Sequence, residues 1–192
     1  MAISLGSRNP HVRRSRITTC AFIALICTTS IGPAWATAPL VQSIADPNGR
    51  FTITFPADWQ VATKAEGMVA VLGVGPIEPG TRASVNVVVE SLPAPISPAV
   101  YADRAERFVK VTFHHYTMIQ QGEAVIAGRA AYYRYFTWEP NVGPAVYQIQ
   151  VFFTLGQTGF VVTGSTANDS DRIRTDVPVL VQIINTFRVT AS

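Results

Sequence analysis

Few residues in this chain have the types and spacing to do chemistry. Beyond residue 36 there are only two histidines, His114 and His115, and they are adjacent. In an extended segment, neighbouring side chains point to opposite faces, so the pair is poorly placed to grip one metal or to serve one nucleophile. Both are read as surface or helix-end residues. Gly164-Ser165-Thr166 lacks the Gly-x-Ser-x-Gly spacing that lifts a hydrolase serine out of its strand. Gly73, Gly75 and Gly80 lack the spacing and the lysine of a phosphate loop. Asn168-Asp169-Ser170-Asp171 gathers hard oxygen ligands suited to calcium. It has neither the length nor the closing glutamate of a calcium-binding loop, and a helix N-cap accounts for it more simply. No catalytic residue, metal site or cofactor is assigned.

The richest stretch is Tyr132 to Trp138, YYRYFTW. As a strand it puts Tyr133 and Tyr135 on one face, and Tyr132, Arg134, Phe136 and Trp138 on the other. Two such faces are either both covered, as in a sandwich, or one is partly open. An open face with Arg134 among aromatics suits a flat or anionic ligand, or a protein anchor. Tyr132, Arg134, Phe136 and Trp138 are therefore the candidate binding residues.

The amino end reads as an export signal. Arg8, Arg13, Arg14 and Arg16 precede an apolar run from Ile17 to Ile31, which closes on Ala34-Trp35-Ala36. Basic, apolar and small-residue segments in that order form a secretory leader. The apolar part is shorter than the roughly 20 residues of a bilayer span. Cleavage is expected after Ala36; general secretion, a twin-arginine route at Arg13-Arg14 and an uncleaved anchor all stay open. Four of the 15 basic residues and none of the 12 acidic ones lie in this leader, so residues 37–192 carry 11 against 12, a net −1. Net charge then offers no support for nucleic-acid binding. Both cysteines, Cys20 and Cys27, also fall there. What remains is expected to be one domain over 46–190, after a flexible lead-in at 37–45, held by its core without disulfides.

The elements follow from periodicity. Phe51, Ile53 and Phe55 alternate with Thr52 and Thr54 and stop at Pro56, which predicts a strand with Trp59 folding back over its end. Further strands are expected near 68–74, 83–91, 116–124, 129–138, 146–155 and 159–165. Ser97-Pro98 opens a helix to about Phe113. Its buried row is read as Tyr101, Ala105, Phe108 and Thr112, with Val109 and Phe113 beside it. A closing helix is expected over about 169–186, with a kink or late start at Pro178. The fold class is α+β: a largely antiparallel sheet of six to seven strands covered by two main helices.

In that order the residues resemble PsbP-like and DcrB-like domains. The resemblance rests on Phe51-Thr52-Ile53-Thr54-Phe55-Pro56 with Trp59, on Ser84-Val85-Asn86-Val87 followed by a proline-bounded loop and a helix, and on Gly128-Arg129-Ala130-Ala131. It continues in Gly159-Phe160-Val161-Val162-Thr163-Gly164-Ser165 and ends in Ile184-Asn185-Thr186-Phe187-Arg188. It implies an α/β/α sandwich, export to a bacterial envelope or a thylakoid lumen, and a binding or accessory role rather than catalysis. The best-known members are extrinsic photosystem II subunits. The expected partner is a protein in or at a membrane. The alternative is a carrier for a small apolar or anionic ligand, with a cavity beside residues 132–138. Oligomeric state is not legible.

Overall fold

A computed structural model describes residues 39–63, 68–77 and 82–190. The leader expected at 1–36 lies outside the described residues. Strands are β1 Leu40–Ala45, β2 Phe51–Pro56, β3 Gln60–Thr63, β4 Val69–Val74, β5 Ser84–Ser91, β6 His114–Ile126, β7 Arg129–Glu139, β8 Val146–Leu155, β9 Thr158–Ala167 and β10 Arg188–Val189; helices are α1 Pro98–Thr112 and α2 Ser170–Asn185. Seven strands form one sheet in the order β3-β4-β5-β9-β8-β7-β6, and β1-β2-β10 form a second. Every described strand pair is antiparallel. This is the expected α+β sandwich, with the opening strand placed in the smaller sheet.

The core explains the layering. Phe51, Ile53 and Phe55 of β2 are fully buried and cluster with Val85, Val87, Phe153, Phe160 and Val162 of the large sheet and with Leu180, Ile183 and Ile184 of α2. Fully burying each such side chain is worth roughly 1.5–3 kcal/mol. One face of the large sheet is thus covered by α2 and the small sheet together. The other carries a smaller cluster, in which Tyr101 and Ala102 of α1 meet Phe152 and Val161. Alternation along β8 and β9 sends neighbouring residues to the two clusters.

Three differences from the sequence reading have physical causes. Residues 40–45 of the expected lead-in are strand β1, paired with β2 through Ser43↔Thr54 and Ile44↔Ile53. An inward glutamine disguised it: Gln42 Nε2 donates to the carbonyls of Pro56 and of Trp59, the latter at 3.0 Å. Strands β3 and β10 have four and two residues, too short for periodicity to show. The third difference, in α1, reaches into the candidate site.

The β1–β2 turn is held by an ion pair. Asp46 is buried, and its carboxylate accepts from Arg50 Nε at 2.6 Å and Nη2 at 2.9 Å. These bonds from Arg50 hold the carboxyl below its ordinary range against the opposing pull of burial. At the other end of the domain, Asp169 caps α2. Its Oδ1 accepts from the amides of Asp171 at 3.0 Å and Arg172 at 3.2 Å, and the helix continues through Pro178.

Candidate functional site

β7 brings Tyr132, Arg134, Phe136 and Trp138 to the face under α1. Arg134 is 1% exposed and Phe136 is fully buried, while Tyr132 and Trp138 are half-buried. The four side chains therefore form the seat of a helix. Arg134 Nη2 donates to the Ala102 carbonyl at 3.1 Å and to Glu106 Oε2 at 3.4 Å, and Nε donates to Gln121 Oε1 at 3.4 Å. Its guanidinium carbon stands 5.6 Å from the centroid of the Phe152 ring, within cation–π range. Nη1 and the facing Gln150 Oε1 are buried with no hydrogen-bond partner among the described residues.

Glu106 is the other half of this lock. Besides Arg134 it accepts from Tyr116 Oη at 3.3 Å and pairs with Lys110 Nζ at 3.0 Å. Burial pushes the Tyr116 hydroxyl up to about 12; the Arg134 charge pulls against this and Glu106 adds to it. Beyond the lock lies an aromatic stack. Phe113 and Trp138 are 4.2 Å apart and nearly parallel, Phe136 contacts both Phe113 and Tyr116, and Trp138 Nε1 donates to Gln148 Oε1 at 2.7 Å.

This seat turns α1 relative to the sequence reading. Tyr101, Ala102 and Val109 are buried against the sheet. Glu106, which the expected buried row left out, is drawn inward to Arg134, with its side chain 15% exposed. Phe108, expected in the buried row, is 68% exposed, and Val111 is 83% exposed. The outer face of α1 therefore presents Val100, Phe108 and Val111 with Arg104 and Arg107 between them. A buried cation on β7 outbids a phenyl ring for the helix's inner face, because an unpaired interior charge costs more than an exposed ring. The stripe was invisible in sequence, where Phe108 passed for core.

On the opposite face, Tyr133, Tyr135 and Tyr147 form a half-buried row, with ring centroids 5.4 Å and 6.4 Å apart along it. Burial raises the Tyr135 and Tyr147 hydroxyls, and each is raised further by its neighbouring tyrosine. His114 and His115 are exposed at the start of β6, and His115 Nδ1 stands 2.7 Å from Glu139. An open hollow of about 480 Å³ lies beside the start of α1, lined by Ser97, Pro98, Ala99 and the β6–β7 hairpin. None of the four candidate residues lines it. Among the described residues, no group of three or more histidine, cysteine or carboxylate side chains could hold a metal, and no helix is long and apolar enough to cross a membrane.

An α1 layer, a seven-stranded antiparallel sheet, and a layer of α2 with a three-stranded sheet define the PsbP/DcrB-like fold. The chain shares it with cyanobacterial PsbP (CyanoP) from Synechocystis sp. PCC 6803, at a TM-score of 0.59 and 15% identity over 84% of this chain and 98% of that one. LpqN, involved in cell envelope biogenesis of Mycobacterium tuberculosis, superposes at 0.57 with 16% identity over 78% and 90%. The Ran-binding protein Mog1p of Saccharomyces cerevisiae superposes at 0.54 with 11% identity over 79% and 96%. No family model and no curated protein sequence matches the chain.

Proposed function

We propose that the chain is an exported, non-catalytic binding module that engages a protein partner in or at a membrane. The observation that carries this reading is the outer face of α1, where Phe108 and Val111 stand in solvent beside Arg104 and Arg107. Exposed aromatic and aliphatic side chains rimmed by arginine have the composition of an interface core. The matching partner surface is apolar with a carboxylate rim. Tyr132, Arg134, Phe136 and Trp138 serve this surface from beneath by fixing the rotation of the helix. Two relatives in fold, one Ran-binding and one involved in envelope biogenesis, agree with a binding role outside catalysis. The basic, apolar and small-residue pattern of residues 1–36 supports export.

Affinity capture of the tagged protein from its native envelope in mild detergent tests this reading. A membrane-protein partner in stoichiometric amount is expected. Phe108→Asp combined with Val111→Asp should abolish capture without lowering the thermal midpoint, whereas Val142→Asp, at an exposed loop position, should not. Recovery of the chain alone, or capture indifferent to the α1 substitutions, would overturn the reading.

A further inference from the structure

The three central strands of the large sheet, β5, β9 and β8, have two unlike faces. Toward α2 they present Val85, Val87, Val162, Ile149 and Val151, all buried in the main core. Alternation sends six neutral polar side chains to the α1 side, in two rows across the strands. Ser84 lies opposite Ser165, and Ser165 opposite Gln148; Asn86 lies opposite Thr163, and Thr163 opposite Gln150. Apolar side chains are the norm at the centre of a sandwich, so it is the buried polar group that carries information. A block of them breaks the pattern that folds the rest of the sheet, which is the mark of a functional surface.

These side chains are recessed, and their hydrogen-bonding capacity is unspent. Thr163 is 4% exposed and Gln148 7%, and the other four are half-buried. Among the described residues their side chains make one hydrogen bond, accepted by Gln148 Oε1 from Trp138 Nε1 at 2.7 Å. The Gln148 Nε2 amide and the Thr163 hydroxyl are left without partners, and Gln150 Oε1 is buried without one. Each such group costs stability while it goes unmet. α1 packs on β6, β7 and β8, so the β5 and β9 ends of both rows lie beside the helix rather than beneath it.

We infer that this floor binds a neutral carbohydrate. An anion would need a free cation, and Arg134, which adjoins the rows at Gln150, is buried and paired with Glu106. A cation would need a carboxylate, and none of the six side chains is one. An apolar ligand would leave six polar groups desolvated and unpaired. The hydroxyls of a sugar both donate and accept, and so do the three amides and three hydroxyls of the floor. Trp138 stands beside Gln148, half-buried, with its ring stacked on Phe113. It adds aromatic surface for the C–H face of a sugar ring. The site makes no use of Phe108 or Val111, so it is separate from the outer face of α1.

Saturation-transfer NMR of the full chain with maltotriose, cellotriose and chitotriose is the first test, with a galacturonate trimer as the charged counterpart. At least one neutral trisaccharide should bind with a dissociation constant of about 1 mM or below, and the charged one should not. Thr163→Val and Ser165→Ala each remove one hydroxyl with little change of volume. Each should weaken binding about threefold or more while leaving the thermal midpoint in place. Thr137→Val, on the opposite face of β7, should leave binding unchanged, as should Phe108→Asp with Val111→Asp, which separates this site from the protein-partner surface. No binding of any neutral trisaccharide, equal binding of the charged one, or an affinity indifferent to both Thr163→Val and Ser165→Ala would each overturn the assignment.

Discussion

Arg134 shows how one side chain sets the identity of a surface it does not touch. Its guanidinium is buried, bonds the Ala102 carbonyl and pairs with Glu106, and so determines which residues of α1 face the sheet. Removing one partner of such a pair strands the other, whereas replacing both by apolar groups of similar volume is often nearly neutral. Arg134→Ala is therefore expected to cost about 3 kcal/mol in urea unfolding. Arg134→Met combined with Glu106→Leu should cost less than Arg134→Ala alone. A double variant at least as destabilised as the single one would show that the guanidinium acts through packing rather than through the pair. In either variant the Tyr116 hydroxyl loses a charged neighbour, since it lies between Glu106 and Arg134.

Between elements, one close approach joins the two sheets. Gly73 of β4 lies beneath Phe55 of β2, and a Cβ there would come within 2.2 Å of the ring. Phe55 is fully buried and stacks obliquely on Trp59 at 5.9 Å, so the ring has little room to retreat. Gly73→Ala should destabilise by about 1–3 kcal/mol through overpacking, and Phe55→Leu in the same chain should restore part of that loss. A denaturation midpoint unmoved by Gly73→Ala would mean that the sheets can part locally. This contact also marks where legibility ended. Alternation in β2, β5, β8 and β9 and the Ser97 and Asp169 caps were all local signals, and local signals survive in a single sequence. β2 lies in the second sheet with Phe55 packed over Gly73 of β4, a meeting of distant residues that nothing local records. The rotation of α1 was hidden for the same reason: the hydrophobic stripe ranks Phe108 above Glu106 until Arg134 is placed beneath the helix. The strand expected around 132–138 was found, and its Tyr132, Arg134, Phe136 and Trp138 lie on the face beneath α1.

At the scale of the molecule, both faces of the central sheet use tyrosine where the core meets its margins. Tyr101 and Tyr116 lie on the α1 side, Tyr135 and Tyr147 on the other, and burial is the leading cause that raises all four hydroxyls above their ordinary value. The direction fixes how stability must depend on pH. A tyrosine is neutral when protonated, and a raised value in the fold means that the native state holds its proton more tightly than the unfolded chain. The stabilisation is fully present below the unfolded value near 10 and is lost as pH rises from there, past about 12 for Tyr116. Because these groups pack against both helix-bearing faces, the loss should loosen the sandwich as a whole rather than one layer. Tyrosinate absorbance and far-ultraviolet dichroism followed together through an alkaline titration should show some tyrosines ionising near their ordinary value and a later group ionising only as the fold is lost. All tyrosines ionising near pH 10 with the secondary structure intact would contradict the buried margins on which both faces of the sandwich rest.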